Sequence, residues 1–537
     1  MTIDHLPCGV NNFQIFKLNM KWIQLIVALS LLVMIHELGH FLFAKLFKVR
    51  VEKFYMFFNP QISLFRAKKI GGKWRFKFFS KNVEPAAVEV IDPMTKEPKK
   101  DKKGNPILRP MSDEERMALP EGDWRREPEN TEWGIGWLPF GGYCAIAGMV
   151  DETHSIDDLP SEPQSWEFRS KPAWQRLLII MGGILMNFIG ALVIYIGVVA
   201  HWGTDTLPLQ KIESGLYYSE VLLQEGFQQQ DKILSINGEE PQDLGDVVNG
   251  LIIEGKREVV VVRGKDTLLL TMSEDLGERY MAIVNEHDKQ ERQKAHADKL
   301  YQKRGYVLIS EFIPFVVDSV MPDNAAYFAG IEAGDRIVNV NGVATPCVVQ
   351  VRNELQKYPC DSVTVGYYRT VAGDSAVYQE TRMFLGDQAT MGVYMKGLYS
   401  FYPLEHTDYT FWQAIPAGIK SGWDMLVLYV KQFRLVFTKE GAQSVGGFGA
   451  IGNMFPNVWD WHSFWAMTAF ISLALAFMNF LPIPVLDGGY ILFLLWEIIT
   501  RKKPSDKFLE VANNIGFWLL LALLIFANGN DIFKAFF

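Results

Sequence analysis

Cysteine is scarce in this chain: four residues in 537 (Cys8, Cys144, Cys347 and Cys360), with no CxxC pair among them. That argues against a thiolate zinc site or a disulfide scaffold. A basic excess is also missing. Lys and Arg number 53 against 61 Asp and Glu, a formal charge of -8, so there is no field to displace counterions and no nucleic-acid partner is expected. Disorder-type composition is absent overall, since 49% of residues are hydrophobic and 21% charged, with 37 Phe and 15 Trp. The length leaves room for several domains. What is present is uneven: a mean hydropathy of +0.05 averages a few very apolar runs with long polar stretches. That profile belongs to a membrane protein with sizeable aqueous domains.

Four apolar runs stand out: Trp22–Phe47, Trp174–Ala200, Phe464 to about Thr500, and Ile515–Ala527. Crossing about 30 Å of hydrocarbon takes roughly 20 helical residues. The first two runs meet that length. The third is too long for one span and is broken by Pro482 and Pro484, and the fourth is short. A cleavable signal peptide is the alternative for the first run, but no small-residue cleavage site follows it. Lys45, Lys48, Arg50 and Lys53 follow the first run, Arg169, Lys171 and Arg176 precede the second, and Arg501, Lys502, Lys503 and Lys507 separate the third from the fourth. The positive-inside rule puts these flanks in the cytosol, and Trp202–Asp460 with both termini outside.

The outer segment repeats itself. Asp231–Gly238 (DKILSING) and Asp335–Gly342 (DRIVNVNG) share the pattern D-[KR]-I-[LV]-x-[IV]-N-G, which reads as a strand entering a tight turn. Val259–Arg263 and Val363–Arg369 add strand-like stretches. On the cytosolic side, Val83–Thr131 is dense in Lys, Glu, Asp and Pro and reads as a solvated insertion. Phe54–Phe65 and Trp133–Met149 suit strands at a membrane surface, and Asp424–Phe437 suits an amphipathic interfacial helix.

The chemistry is concentrated in His36-Glu37-Leu38-Gly39-His40. Residues four apart share a helix face, so both imidazoles can hold one metal while Glu37 handles a proton. Chance predicts fewer than about 0.02 such matches in a chain of this composition. Ionisable groups inside a span cost roughly 2.5–3.5 kcal/mol each and persist where they face a cavity or a partner. A catalytic zinc takes three protein ligands. The best remaining one is Asp487, the only acidic residue between His462 and Glu497; its bland alternative is N-cap of a Tyr490–Thr500 helix. Helix rises of about 13 Å from His36 to Lys45 and about 21 Å from Asp487 to Arg501 agree in depth if the second is tilted or turned at Gly488 and Gly489.

HExxH in a first span, N-x-x-P-x-P-x-L-D-G-G at Asn479–Gly489, and the paired outer repeat together resemble the site-2 protease family of intramembrane zinc metalloproteases, in particular its bacterial sigma-E-regulating branch. The second repeat, with Ser319–Asp335 before it, resembles PDZ domains of bacterial membrane proteases; the first carries Gln230 where that family has Gly. The resemblance implies Zn2+ held by His36, His40 and Asp487, with Glu37 as catalytic acid/base. It also implies a substrate-binding role for Asn479, Pro482 and Pro484. Leu138–Tyr143 (LPFGGY) is similar to a stretch the family carries before its second span, whereas Phe57-Phe58-Asn59 stands where the family has Gly-x-Gly, Met181–Asn187 where it has A-G-P-x-x-N, and Tyr490 where it often has His.

The expected architecture is an α-helical membrane protein with four transmembrane helices, a membrane-reentrant or interfacial β segment, and two inserted β-rich PDZ domains. Its limits are 1–47 (first span), 48–171 (reentrant β region with the insertion 83–131), 172–201 (second span), 202–300 and 301–400 (PDZ domains), 401–460 (interfacial), 461–503 (third span, with LDGG) and 504–537 (fourth span). The expected activity is cleavage of single-span membrane proteins (anti-sigma-factor-like proteins or remnant signal peptides) after trimming of their outer part. The expected setting is the lipid bilayer of a bacterial inner membrane, with the site towards the cytosol and the PDZ domains periplasmic. Two rivals are a membrane-tethered zinc protease with an aqueous site and a non-catalytic PDZ scaffold.

Overall fold

The computed structural model describes residues 20–82, 87–90, 108–149, 163–297, 304–371, 375–402, 404–438, 441–442 and 445–536. Cys8, the start of the 1–47 region and much of the 83–131 insertion lie outside them. The chain forms two compact units, one of Met1–Trp202, Thr410–Leu426 and Gly446–Asn528, the other of Gly203–Tyr409, Val427–Val445 and Gly529–Phe537.

The first unit is built on long apolar helices: α1 (Met20–Leu46), α2 (Ala173–Trp202), α3 (Phe411–Phe433, up to Leu426), α4 (Trp461–Phe480), α5 (Asp487–Thr500) and α6 (Asp506–Phe536, up to Asn528). Four stretches are long and apolar enough to cross a membrane: Met20–Leu46, Ala173–Trp202, Trp461–Phe480 and Lys507–Phe533. The third apolar run resolves into α4 and α5, with Pro482 and Pro484 in the linker between them. The fourth begins at Asp506 rather than Ile515, because a polar first turn precedes the apolar stretch. Likewise, α3 starts at Phe411, thirteen residues before the amphipathic stretch read from Asp424.

Glycine sets the closeness of α1 and α2. A Cβ on Gly39 would lie 2.1 Å from the Gly182 carbonyl oxygen, and one on Gly182 would lie 2.6 Å from that of Gly39. With no hydrophobic drive between helices in lipid, such small-residue crossings supply contact area through dispersion. Ala28, Leu32, Ala44, Ile179 and Ile180 are fully buried around the helices. Polar ties fix the rest: Ser472 Oγ on α4 donates to the Asn187 carbonyl on α2 (2.7 Å), and Arg176 on α2 pairs with Glu497 on α5 (2.5 Å).

Between α1 and α2 the chain forms β1 (Val51–Phe58), β2 (Ile62–Ile70), β3 (Lys73–Lys81), β4 (Glu132–Ile135) and β5 (Leu138–Ile146), ordered β3-β2-β4-β1-β5. Only β1 and β4 run parallel; the other neighbours are antiparallel. Phe57 sits at φ +71°, in the left-handed region glycine favours. The space that glycine would leave at Phe57-Phe58 is supplied across the sheet instead. A Cβ on Gly136 would be 2.1 Å from the Phe58 carbonyl oxygen, and one on Gly141 would be 2.6 Å from the Phe58 ring. Beneath, Tyr55 donates to the buried Glu132 (2.5 Å) and Tyr143 donates to Asn59 (3.0 Å).

The second unit contains two β-rich blocks. In the first, β6 (Lys232–Ile236), β7 (Glu258–Arg263) and β8 (Asp266–Thr271) form a meander. In the second, β9 (Phe315–Val320), β10 (Arg336–Val340), β12 (Ser362–Val371), β13 (Ser375–Phe384) and β14 (Val393–Met395) are ordered β13-β12-β10-β9-β14, with β11 (Val343–Ala344) on β10. The sequence repeat is a structural one. Asn237-Gly238 and Asn341-Gly342 both take positive φ in tight turns. Buried Asp231 accepts from Arg263 (2.9 and 2.7 Å), as Asp335 accepts from Arg369 (2.8 and 2.6 Å). Each arginine also donates to a glycine carbonyl, Gly226 or Gly330, at 2.8 Å. Gln230 takes φ +74° where the second copy has Gly334 at +95°. Cys347 and Cys360 are both free thiols, Cys347 buried and Cys360 exposed.

Candidate metal centre

The HExxH segment lies within α1, so its two imidazoles leave one face of an unbroken helix. Asp487 arrives from the first residue of α5. The linker before it is shaped by tight contacts: Val485 adopts φ +82°, and a Cβ on Gly488 would be 2.0 Å from the Leu481 carbonyl oxygen. A Cβ on Gly489 would meet Pro484 Cα at 2.6 Å, and one on Gly516 of α6 would meet the Pro484 carbonyl oxygen at 2.1 Å. A β-branched residue held left-handed is strain that surrounding structure must impose. No turn occurs at Gly488 and Gly489, because the helix is continuous from Asp487 to Thr500. Leu486 occupies the cap position, so the Asp487 carboxylate is not an N-cap.

That carboxylate meets the histidines. Asp487 Oδ2 is 3.2 Å from His36 Nε2 and 3.5 Å from His40 Nε2, and the two Nε2 atoms are 3.2 Å apart. Tetrahedral zinc bonds of about 2.0–2.1 Å would separate such donors by about 3.3–3.4 Å. Protonation sharpens the fit. His40 Nδ1 donates to the Ile179 carbonyl (2.9 Å), which leaves the lone pair of a neutral ring on Nε2, and Asp487 Oδ2 is buried with no hydrogen-bond partner. Electron-rich atoms converging this closely repel unless a cation lies among them. Among the described residues this is the one cluster of three or more His, Cys, Asp and Glu side chains with metal-binding spacing.

Neighbouring groups orient the set. Asn187 on α2 places its amide 3.3 Å from His36 Nδ1, while its Oδ1 is buried and unpaired. Ligation through His36 Nε2 puts the ring proton on Nδ1, and the Asn187 amide, turned over, offers Oδ1 to accept it. Sequence reading gave Asn187 no role at the metal, although it named the stretch that ends there. A Cβ on Gly183 would lie 2.5 Å from His40 Nε2 and 2.6 Å from His36 Cε1, so this glycine clears room for both rings. Glu37 is half-buried beside both histidines and Asp487, with the backbone of Cys144 on β5 next to its carboxylate. The LPFGGY stretch is therefore the edge strand beside the acid. Asn479 is half-buried in the last turn of α4, and Pro482 and Pro484 lie in the linker leading to Asp487.

Comparison with known proteins gives the family. The model of peptidase family M50 matches residues 24–106 and 119–523. The chain belongs to that family, the site-2 proteases. It is 26% identical over 425 residues to the regulator of sigma E protease of Haemophilus influenzae, covering 76% of this chain and 89% of that protein. It is 25% identical over 530 residues to protease RseP of Yersinia pestis, covering 94% and 97%. A Vibrio cholerae protein whose name describes a zinc metalloprotease is 23% identical over 530 residues, covering 95% and 98%.

Proposed function

We propose that this chain is a zinc endopeptidase of the inner membrane that cuts single-span membrane proteins within the bilayer. The observation that carries the reading is the triangle of His36, His40 and Asp487 donor atoms with the Glu37 carboxylate beside it. Those three residues would hold zinc, which when bound polarises the scissile carbonyl and lowers the pKa of water.

The chain's own groups do the rest. Glu37 takes the proton of the attacking water and returns it to the leaving amine. Cys144 on β5 borders that carboxylate, and Asn187 and the Ile179 carbonyl hold the imidazoles. A helical substrate hides its carbonyls in i→i−4 bonds, so it must unwind before cleavage. β5, the last strand of its sheet and adjacent to Glu37, is where an unwound segment would pair as an added strand. Asn479, Pro482 and Pro484 would line the path of that segment.

The substrates are single-span proteins of the anti-sigma-factor type or remnant signal peptides, the class that the resemblance to site-2 proteases implies; one relative is named for regulating sigma E. The two outer blocks act as PDZ domains that admit substrates already trimmed on the periplasmic side, and the metal site opens towards the cytosol. The decisive experiment is Glu37→Gln assayed on a model membrane-span substrate. The variant keeps zinc and loses cleavage; retained cleavage would remove Glu37 from the mechanism. A scaffold would work equally well with Glu37, His36 or Asp487 replaced.

A further inference from the structure

Strand β3 reads Lys-Trp-Arg-Phe-Lys-Phe-Phe-Ser-Lys from Lys73 to Lys81. Alternation sends Trp74, Phe76 and Phe78 to one face and Lys73, Arg75, Lys77, Phe79 and Lys81 to the other, with Phe79 78% exposed at φ +45°. The aromatic face is bare: Trp74 is 54% exposed, Phe76 58% and Phe78 67%. Its rings form one ladder with Phe65 of β2, which lies 5.3 Å from Phe78 and 6.2 Å from Phe76, while Trp74 stacks on Phe76 at 6.5 Å. The opposite face is already engaged. Trp124 lies under Arg66 (4.8 Å) and Lys77 (5.1 Å), and its carbonyl accepts from Lys68 Nζ (2.9 Å).

The charge is one-sided. Ile62–Lys81 holds seven Lys and Arg and no Asp or Glu, in a chain whose formal charge is -8. Five of these cations (Lys69, Lys73, Arg75, Lys77 and Lys81) are exposed, and the structure gives none of them an ion pair among the described residues. Lys69 faces Trp74 across the β2–β3 pair, so cations bracket the aromatic row at its turn end as well as along its back. The sheet is also tied to a membrane helix. β1 starts at Val51, five residues after α1 ends at Leu46, and a Cβ on Gly142 of β5 would come within 3.1 Å of Val33 on α1.

We propose that the β2–β3 hairpin is a lipid-docking surface, its Trp74-Phe76-Phe78 ladder seated at the headgroup–acyl boundary and its cations on anionic phosphate headgroups. Large contiguous apolar patches call for a partner. Aromatic rings bracketed by Lys and Arg, on a hairpin with no carboxylate of its own and only Glu127 reaching its turn at the Gly71 N–H (2.7 Å), match the chemistry of an anionic membrane interface. Sequence reading expected interfacial strands at Phe54–Phe65 and Trp133–Met149; the barest aromatics are on β3 instead. The proposal rests on the membrane-embedded reading above and deepens it. β3 and β5 are opposite edges of the sheet, about 19 Å apart at about 4.8 Å per strand, so lipid would steady one edge while substrate pairs with the other.

The test places photoreactive benzoylphenylalanine at Phe76 of the full chain, and separately at Trp518 of α6 as a control for membrane insertion. Each is reconstituted in vesicles of equimolar phosphatidylglycerol and phosphatidylcholine, and adducts are identified by mass spectrometry. Phe76 adducts should be phospholipid, with phosphatidylglycerol favoured on the order of fivefold. Combined Lys69→Gln, Lys73→Gln and Lys81→Gln substitution should remove that preference. Adducts at position 76 to protein, whether substrate or a second copy, overturn the proposal, as do lipid adducts without anionic preference. No lipid adduct at 76 with strong adducts at 518 overturns it and leaves the protease reading intact; none at either position sinks the membrane-embedded reading as well.

Discussion

Asp487 Oδ2 and His36 Nε2 lie 3.2 Å apart although 451 residues of chain separate them. Each residue sits on a different helix, so the contact ties α5 to α1 and completes the donor set proposed to hold the metal. Lone-pair donors this close, His40 buried and His36 and Asp487 partly so, repel one another unless a cation, a proton or a metal ion, lies among them.

Asn187 should control metal affinity without touching the metal. Its backbone carbonyl is held by Ser472, so a side-chain change leaves the α2–α4 tie in place. Replacing Asn187 by Leu deprives His36 Nδ1 of its acceptor, and zinc affinity should fall about 10–100-fold. Competition against a fluorescent chelator measures this; unchanged affinity would mean that Asn187 does not set the His36 tautomer.

Gly183→Ala and Gly39→Ala should fail in different ways. The new Cβ at 183 meets the two imidazoles, which can rotate away, so the protein folds but zinc binding and cleavage drop by about 100-fold or more. At 39 the obstacle is the Gly182 backbone at 2.1 Å, so the helices must separate and the melting temperature should fall. Thermal melts paired with zinc content separate the two; a Gly183→Ala protein with full zinc would contradict the site geometry.

In the second unit, Arg369→Met strands the Asp335 carboxylate, 1% exposed, without its counter-charge. Breaking a buried pair from one side costs about 3–5 kcal/mol. Hydrogen exchange of β10 and β12 should accelerate accordingly, and Arg263→Met should do the same to β6 and β7 through Asp231. Exchange rates within a factor of a few of wild type would show that the pairs do not hold these blocks together.

Much of this was legible in the residues. Helical spacing alone places His36 and His40 on one face, and Asp487 stands out as the only acidic residue between His462 and Glu497. The two Asn-Gly turns showed their positive φ in advance. Other features depend on contacts no local pattern encodes. Asn187 reaches His36 only because Gly39, Gly182 and Gly183 let α1 and α2 close up. Phe58, beside the left-handed Phe57, draws its room from Gly136 just after β4 and from Gly141 on β5. β3 was hidden by its own alternation, since a row of lysines reads as solvated surface until the strand shows that the aromatics share the other face. The polar first turn of α6 concealed the true start of the last helix.

The central claim is that His36, His40 and Asp487 jointly hold one zinc ion. It is tested most directly by zinc content, measured by mass spectrometry on purified wild-type protein and on His36→Ala, His40→Ala and Asp487→Ala, each checked for folding. One zinc per wild-type chain, with loss in all three variants, is the expected result. Stoichiometric zinc in Asp487→Ala would contradict it.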